Sequence, residues 1–142
     1  MRKSRVGFTL IETSIVVALA AALMAIGLPR AWRFIDAIEV RGATSEIESM
    51  FSLARHVAIA RGQQVTLDID VAARAISIHA GPELIRTREV GAAHGVFLAT
   101  NRTSITYSPI GVGYGASNFS LIVSRNAVVD TIVVSRLGRV RH

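Results

Sequence analysis

The sequence predicts an α+β fold in which a long N-terminal helix packs on an antiparallel β-sheet head. Two observations favour this class: apolar residues follow a helical spacing as far as Gly62, and a period of two replaces it afterwards. No helix of useful length alternates with the later strand-like runs, so a parallel sheet of βαβ units is not expected. The 142 residues suffice for one domain with a terminal appendage.

An apolar run near the start predicts a transmembrane helix over residues 8–29. Glu12 is the only charged residue between Phe8 and Leu28, and a helix of this length spans roughly 31 Å, enough to cross a bilayer core. The alternative is a signal peptide, but "AIGLPRAW" offers no convincing small-residue cleavage site after the apolar region. Gly27 to Pro29 is expected to kink or melt the helix.

Basic residues flank both ends of the apolar run. Arg2, Lys3 and Arg5 favour a cytoplasmic N-terminus, whereas Arg30 and Arg33 follow the run, so the positive-inside preference is modest. The rest of the chain is then expected outside the cytoplasm. The formal net charge of +6 falls to +3 without the three leading basic residues, so charge alone is weak evidence for nucleic-acid binding.

Residues 30–62 are predicted to form the amphipathic second half of the helix. Gly42 is expected to weaken its middle, where Ser45 and Glu48 would form a capping box that restarts it. Gly62 suits a C-terminal cap. One apolar stripe recurs at spacings of three and four and is expected to pack on the sheet: Ile47, Met50, Phe51, Ala54, Val57 and Ala58.

The segment 63–142 is predicted to be a β-rich head. Short runs rich in β-branched residues are separated by Gly, Asn, Pro and Asp: "QVTLDID", "AISIHA", "SITYSP", "FSLIVSR" and "DTIVVSR". The stretch "SRNAVVD" between the last two predicts a hairpin connection. The stretch from Ala80 to His94 matches no pattern.

The N-terminal run "RVGFTLIE" resembles the processing site of type IV pilins and type II secretion pseudopilins. The resemblance implies that residues 1–7 are a leader peptide that ends at Gly7. It also implies that a membrane-embedded prepilin peptidase cuts between Gly7 and Phe8 and N-methylates Phe8. The glutamate of the motif corresponds to Glu12, to which the family assigns a role in assembly.

Physical chemistry gives an independent reason for Glu12. An ionisable group within a membrane segment costs about 2.5–3.5 kcal/mol unless it finds a partner. Cleavage after Gly7 would create a positively charged amine on Phe8, and assembly would offer the amine of a neighbouring subunit. A glutamate that extends to the lipid headgroups is the alternative.

The head resembles the GspH/FimT group of minor pseudopilins and pilins, which includes FimU. The resemblance rests on "LARHVAIARGQQVTLDI", "ITYSPIGVGYGASNFSLIV" and "IVVSRLGRVRH". It implies a structural subunit of a type II secretion pseudopilus or a type IV pilus, anchored in the bacterial inner membrane with a periplasmic head. Its implied partners are other pilin subunits, the prepilin peptidase and the membrane. A membrane protein that never assembles is the alternative if the motif is coincidental.

The stretch "GRVR" near the C-terminus is a candidate DNA-binding site. In a strand, Arg139 and Arg141 project to one face with Arg136 close by, a spacing suited to successive phosphates. Residues 138–141 also match a Gly-Arg-x-Arg motif that certain FimT-type minor pilins carry and that is implicated in DNA binding during natural transformation. The alternative is a solvated basic tail.

No pattern in the sequence indicates an enzyme, a metal site or a cofactor. The run "GVGYGA" formally fits a nucleotide-binding fingerprint, but a strand-like run follows it where a helix is needed. Asp68 and Asp70 share a strand face without a third ligand nearby. There are no cysteines, and the histidines are scattered without metal-ligand spacing: His56, His79, His94 and His142.

Overall fold

The predicted α+β class is confirmed by the structure, a computed structural model that describes residues 7–114, 119–135 and, by backbone alone, 140–141. The helices of the described chain are α1 (Leu10–Arg61) and α2 (Val90–His94). Its strands are β1 (Val65–Asp70), β2 (Ala75–Ala80), β3 (Glu83–Arg88), β4 (Phe97–Thr100), β5 (Ser104–Tyr107), β6 (Gly113–Tyr114), β7 (Phe119–Arg125), β8 (Val128–Val134) and β9 (Val140–Arg141).

The chain divides into two compact units, Met1–Ile35 and Asp36–His142. In the described part of the first unit, helix α1 exposes its large apolar side chains on all sides. By length and composition this helix is apolar enough to cross a membrane. The second unit holds both sheets, α2 and the remainder of α1.

Helix α1 is continuous from Leu10 to Arg61, with Pro29 inside it. The chain therefore does not melt at Gly27 to Pro29, because a proline removes only one hydrogen bond from a helix that good helix formers support on both sides. The predicted restart at Ser45 is also wrong. Gly42 is helical and leaves room for the ring of His94, whose Cε1 would lie 3.0 Å from a Cβ atom added there.

The C-terminal cap predicted at Gly62 is confirmed. Gly62 directly follows α1 and has a φ of 62°, a left-handed conformation that glycine adopts at little cost. Its amide donates to the carbonyl of Ile59 at 3.3 Å. This turn ends the helix and directs the chain into β1.

The strands form two antiparallel sheets. The first sheet has five strands in the order β3-β2-β1-β5-β6, and the second has four in the order β4-β7-β8-β9. Every strand pair is antiparallel, as the absence of alternating helices predicted. The sequence did not reveal β3, β4, β6 or α2. The unmatched stretch before His94 contains β3 and α2, which lead from the first sheet to the second.

The hairpin predicted around "SRNAVVD" joins β7 and β8. The two strands pair over seven residues each, and the turn is shorter than expected because Val128 already belongs to β8. Asn126 occupies the turn with a φ of 52°. Asparagine tolerates this left-handed conformation better than most residues, which allows a tight two-residue turn.

Helix α1 and both sheets share one apolar core. The predicted stripe of α1 is buried except for Val57, which is partly buried against the core. Phe51 of α1 contacts Phe119 of β7 edge to face, with 5.6 Å between ring centroids. Tyr107 of β5 is fully buried, and within the described residues its hydroxyl has no hydrogen-bond partner.

Burial raises the pKa of Tyr107 to about 12 from its ordinary value of 10.0, against a smaller lowering by the charge of Arg55. The unfolded chain therefore loses this proton at a lower pH than the folded chain, so stability falls as pH rises from about 10 to 12. We expect the wild-type head to lose about 2 kcal/mol more than a Tyr107→Phe variant over this range. Denaturant unfolding of the detergent-solubilised protein measures the difference.

Tyr114→Phe is the matched control because Tyr114 is exposed. As pH rises from about 10 to 12, the free energy of unfolding of this variant should fall by as much as that of the wild type. Equal losses of stability in the wild type and Tyr107→Phe would contradict the assignment of this pH dependence to Tyr107.

Candidate functional site

The residues singled out at the N-terminus lie just before helix α1. Gly7, Phe8 and Thr9 precede the first helical residue, Leu10, and are not helical. The side chain of Phe8 is 86% exposed. The peptide bond between Gly7 and Phe8 therefore lies in an exposed, non-helical segment, which is the state that proteases cleave most readily.

Glu12 forms a capping box with Thr9. The amide and the hydroxyl of Thr9 both donate to Oε2 of Glu12, at 2.8 and 2.9 Å, and the amide of Glu12 donates to the Thr9 hydroxyl at 3.3 Å. A carboxylate in this first turn also favours the positive end of the helix dipole. The spacing Thr-x-x-Glu was visible in the sequence as a helix-start signal, but sequence reasoning did not use it.

The predicted processing and assembly residues are neighbours on this unit. Phe8 and Glu12 line one shallow groove together with Thr13, Val16 and Val17. Apart from Thr13 and Ser14, the surface around Glu12 is apolar and exposed, so Glu12 is a lone carboxylate on a surface that is otherwise suited to lipid or to other helices.

The candidate DNA-binding arginines fall mostly beyond the structural description. Arg136 and Arg139 lie outside the described residues, as does Gly138. Arg141 belongs to β9, whose backbone pairs with Val133 of β8 at the edge of the second sheet. The structure thus gives a backbone position for one of the three arginines.

Sequence reasoning missed a polar seam where α1 meets the β7–β8 hairpin. Asp36 is buried, and its Oδ1 forms an ion pair with Nε of Arg125 at a distance of 3.0 Å. Asn126 donates to the other carboxylate oxygen at 2.9 Å. The hydroxyl of Thr44 in α1 also donates a hydrogen bond to the carboxylate of Asp130 in β8, at 3.1 Å. These bonds anchor the second sheet to the helix.

His94 of α2 extends the polar seam along α1. Its Nδ1 lies 2.9 Å from Oε2 of Glu39 and its Nε2 lies 3.3 Å from Oε2 of Glu46. Arg88 of β3 also pairs with Glu46, at 3.2 Å. The sequence did contain one signal, because Glu39 and Glu46 flank Gly42 on the same side of α1. Their partner could not be inferred from the sequence, because His94 is 55 residues from Glu39.

The outer faces of the two sheets differ in chemistry. The central strands of the first sheet present polar side chains: Thr66 and Thr106, which hydrogen-bond at 3.0 Å, and Asp68, which lies 3.9 Å from His79. Leu84 and Tyr114 are exposed on its outer strands. The second sheet exposes large apolar side chains: Phe97, Ile122, Val129 and Val133. Exposed apolar patches are typical of surfaces that contact another protein.

Two sequence motifs that were considered as ligand sites, "GVGYGA" and the pair Asp68 and Asp70, contain residues with structural roles. In "GVGYGA", Gly111 has a φ of 77° in a turn and Gly113 begins β6, while Gly115 lies outside the described residues. Asp70 accepts a hydrogen bond from the amide of Ala73 in the β1–β2 turn at 2.8 Å. Across the described ranges, no three or more His, Asp or Glu side chains form a group that could hold a metal ion.

The family described as type II transport protein GspH matches residues 43–138. No curated protein sequence matches the chain. The fold is similar to two crystal structures of the type IV minor pilin FimU from Pseudomonas aeruginosa strain PAO1. One has a TM-score of 0.64 and 16% identity, over 76% of this chain and 90% of that chain. The other has a TM-score of 0.60 and 14% identity, over 71% and 90%.

The polar seam predicts a large effect of Asp36→Ala on the stability of the head. The substitution leaves the half-buried guanidinium of Arg125 without its carboxylate, so we expect a loss of about 2–3 kcal/mol in the free energy of unfolding. Urea unfolding of the full chain in detergent measures this loss. Glu89→Ala is the acidic control: its exposed side chain makes no capping bond to α2, and it should change stability by less than about 0.5 kcal/mol. Similar losses in the two variants would contradict the prediction.

Proposed function

Because the chain belongs to the GspH family of type II transport proteins, we propose that it is processed after Gly7 and built into a filament through helix α1. Family and fold together indicate a minor pilin or pseudopilin of a type II secretion system or a type IV pilus. The observation that carries the finer proposal is Glu12, the one charge on the exposed apolar start of α1, next to a cleavable non-helical segment.

We propose a processing step in which the prepilin peptidase removes residues 1–7 and methylates the new amine of Phe8. The exposure of Phe8 and the absence of helical bonds around the Gly7–Phe8 peptide support access by this peptidase. Because α1 begins at Leu10, removal of residues 1–7 would leave the whole helix in the mature protein.

The proposed assembly step pairs Glu12 with the Phe8 amine of a neighbouring subunit. Both donors of Thr9 bond to Oε2 of Glu12, and Oε1 has no hydrogen-bond partner among the described residues, so Oε1 can accept a hydrogen bond from a neighbouring subunit. An unpaired carboxylate at membrane depth costs about 2.5–3.5 kcal/mol, and pairing removes this cost. The pairing would also fix the axial register of adjacent helices.

We propose that residues 8–29 span the bacterial inner membrane, with the N-terminus in the cytoplasm and residues 63–142 in the periplasm. The basic residues before Phe8 and the length of the apolar helix support this topology. Residues 30–62 then carry the chain from the membrane to the head. The protein acts as a structural subunit, with no catalytic step and no cofactor.

A Glu12→Gln variant tests the assembly step. Glutamine keeps an oxygen for the Thr9 bonds but removes the negative charge, so we expect normal cleavage and methylation. Incorporation into sheared filaments should fall at least about tenfold, since pairing worth more than about 1.4 kcal/mol corresponds to that factor. Intact-mass measurement of the membrane-extracted protein reports processing, and quantitative immunoblotting of filaments from the host cells reports incorporation.

Glu89→Gln is the matched control and should assemble like the wild type, because Glu89 is exposed in the head. A Gly7→Val variant should keep its leader and separate a processing defect from an assembly defect. Wild-type incorporation of Glu12→Gln would refute the assembly role.

A second candidate function is DNA binding by Arg136, Arg139 and Arg141 for uptake in natural transformation. The observation that favours it is that Arg141 lies in the edge strand β9, where one side of the backbone has no further strand of the described sheet. An edge strand leaves room for a long polyanion along the sheet. Three phosphate contacts would give a salt slope of only about −2.7 on logarithmic axes.

An Arg139→Ala/Arg141→Ala double variant tests this function. Binding of the full-length protein in neutral detergent to double-stranded DNA, measured across a salt series, should weaken and its slope should become shallower by about 2. Arg86→Ala/Arg102→Ala is the control of equal charge and should bind like the wild type. Equal binding by all three proteins would exclude the C-terminal arginines as the DNA-binding site.

A further inference from the structure

Helix α2 belongs to the connection that leads from the first sheet to the second. It follows β3 and precedes β4, and the amide of Gly91 donates to the carbonyl of Arg74 at 2.9 Å. At its end His94 lies over Gly42 of α1, where an added Cβ atom would come within 3.0 Å of the ring. The carbonyl of His94 also accepts a hydrogen bond from Arg125 of β7. His94 therefore joins α1, α2 and the second sheet.

Both nitrogens of the His94 ring face carboxylates. Nδ1 lies 2.9 Å from Glu39 and Nε2 lies 3.3 Å from Glu46, and the His94 side chain is only 22% exposed. A neutral imidazole has one N–H group, so it donates to one carboxylate and turns a lone pair towards the other. The charged imidazolium donates to both. The ring can therefore donate to both carboxylates only when it is protonated.

Charged groups from α1, β3 and β7 lie around His94. The acids of the polar seam are Asp36, Glu39, Glu46 and Asp130, and its guanidinium groups are those of Arg88 and Arg125. Two further charged groups lie near α2: Glu89 precedes it and adds negative charge, while Arg74 packs on Gly91 with its guanidinium over the ring of Phe97.

We propose that His94 is a proton-dependent latch that holds the α2 connection on α1. With the ring charged, at the acidic end of the range of about pH 5 to 8 in which histidine changes charge, both carboxylates are bridged and the connection is closed. Loss of the proton as pH rises leaves Glu39 or Glu46 facing a lone pair, and the connection loosens. Closure is therefore greatest at low pH and falls as pH rises.

Hydrogen–deuterium exchange of the full chain in detergent, at pH 5 and pH 8 and corrected for the intrinsic pH dependence of exchange, tests the latch. The amides of residues 90–95 should open at least about tenfold more often at pH 8 in the wild type, as expected for the loss of a charged hydrogen bond. In His94→Gln the opening should be the same at both pH values, because glutamine does not titrate.

His56→Gln is the control, since His56 is exposed and its side chain makes no ion pair within the described chain, and it should respond like the wild type. Glu39→Gln removes one of the two facing carboxylates and should reduce the response even if His94→Gln folds poorly. A pH response in His94→Gln or Glu39→Gln equal to that of the wild type would overturn the proposal.

Discussion

The head depends on one face of helix α1, from Val40 to Ala58, where both sheets close a single core. Ala43, Ala54 and Ala58 have no exposed surface, and these small side chains let the strands approach the helix closely. Larger side chains such as Phe51 then fill the space between the sheets, and burying each one contributes about 1.5–3 kcal/mol. Each sheet must offer this surface an apolar inner face.

The parts of the fold visible in the sequence are those with a strong period. The stripe of α1 and the runs that became β1, β2, β5, β7 and β8 all repeat at helix or strand spacing. Strand β3 was missed because it is an exposed edge strand with little apolar alternation, and β6 has only two residues. Helix α2, with five residues, is too short to form by its own propensity and exists because its neighbours hold it.

The same distinction applies to the functional residues. Gly7, Phe8 and Glu12 could be proposed from the sequence because their signal is local, and the capping box with Thr9 was equally local although it went unused. The polar seam had no comparable signal, since Asn126 is 90 residues from Asp36 along the chain. Gly42 illustrates the limit well: a glycine that reads as a helix breaker serves instead as the gap into which a distant histidine fits.

Strand β3 affects whether the first sheet can pair with other copies of the head when many copies are crowded together. It ends the first sheet, so one side of its backbone has no strand neighbour in the described sheets, and such edges can seed β-aggregation. Glu83, Arg86 and Arg88 are exposed along it, and a register shift between Ile78 and His79 distorts the adjoining ladder. Charges and irregularities of this kind stop other chains from adding strands. The β3 edge of the first sheet is thus protected against pairing with another chain.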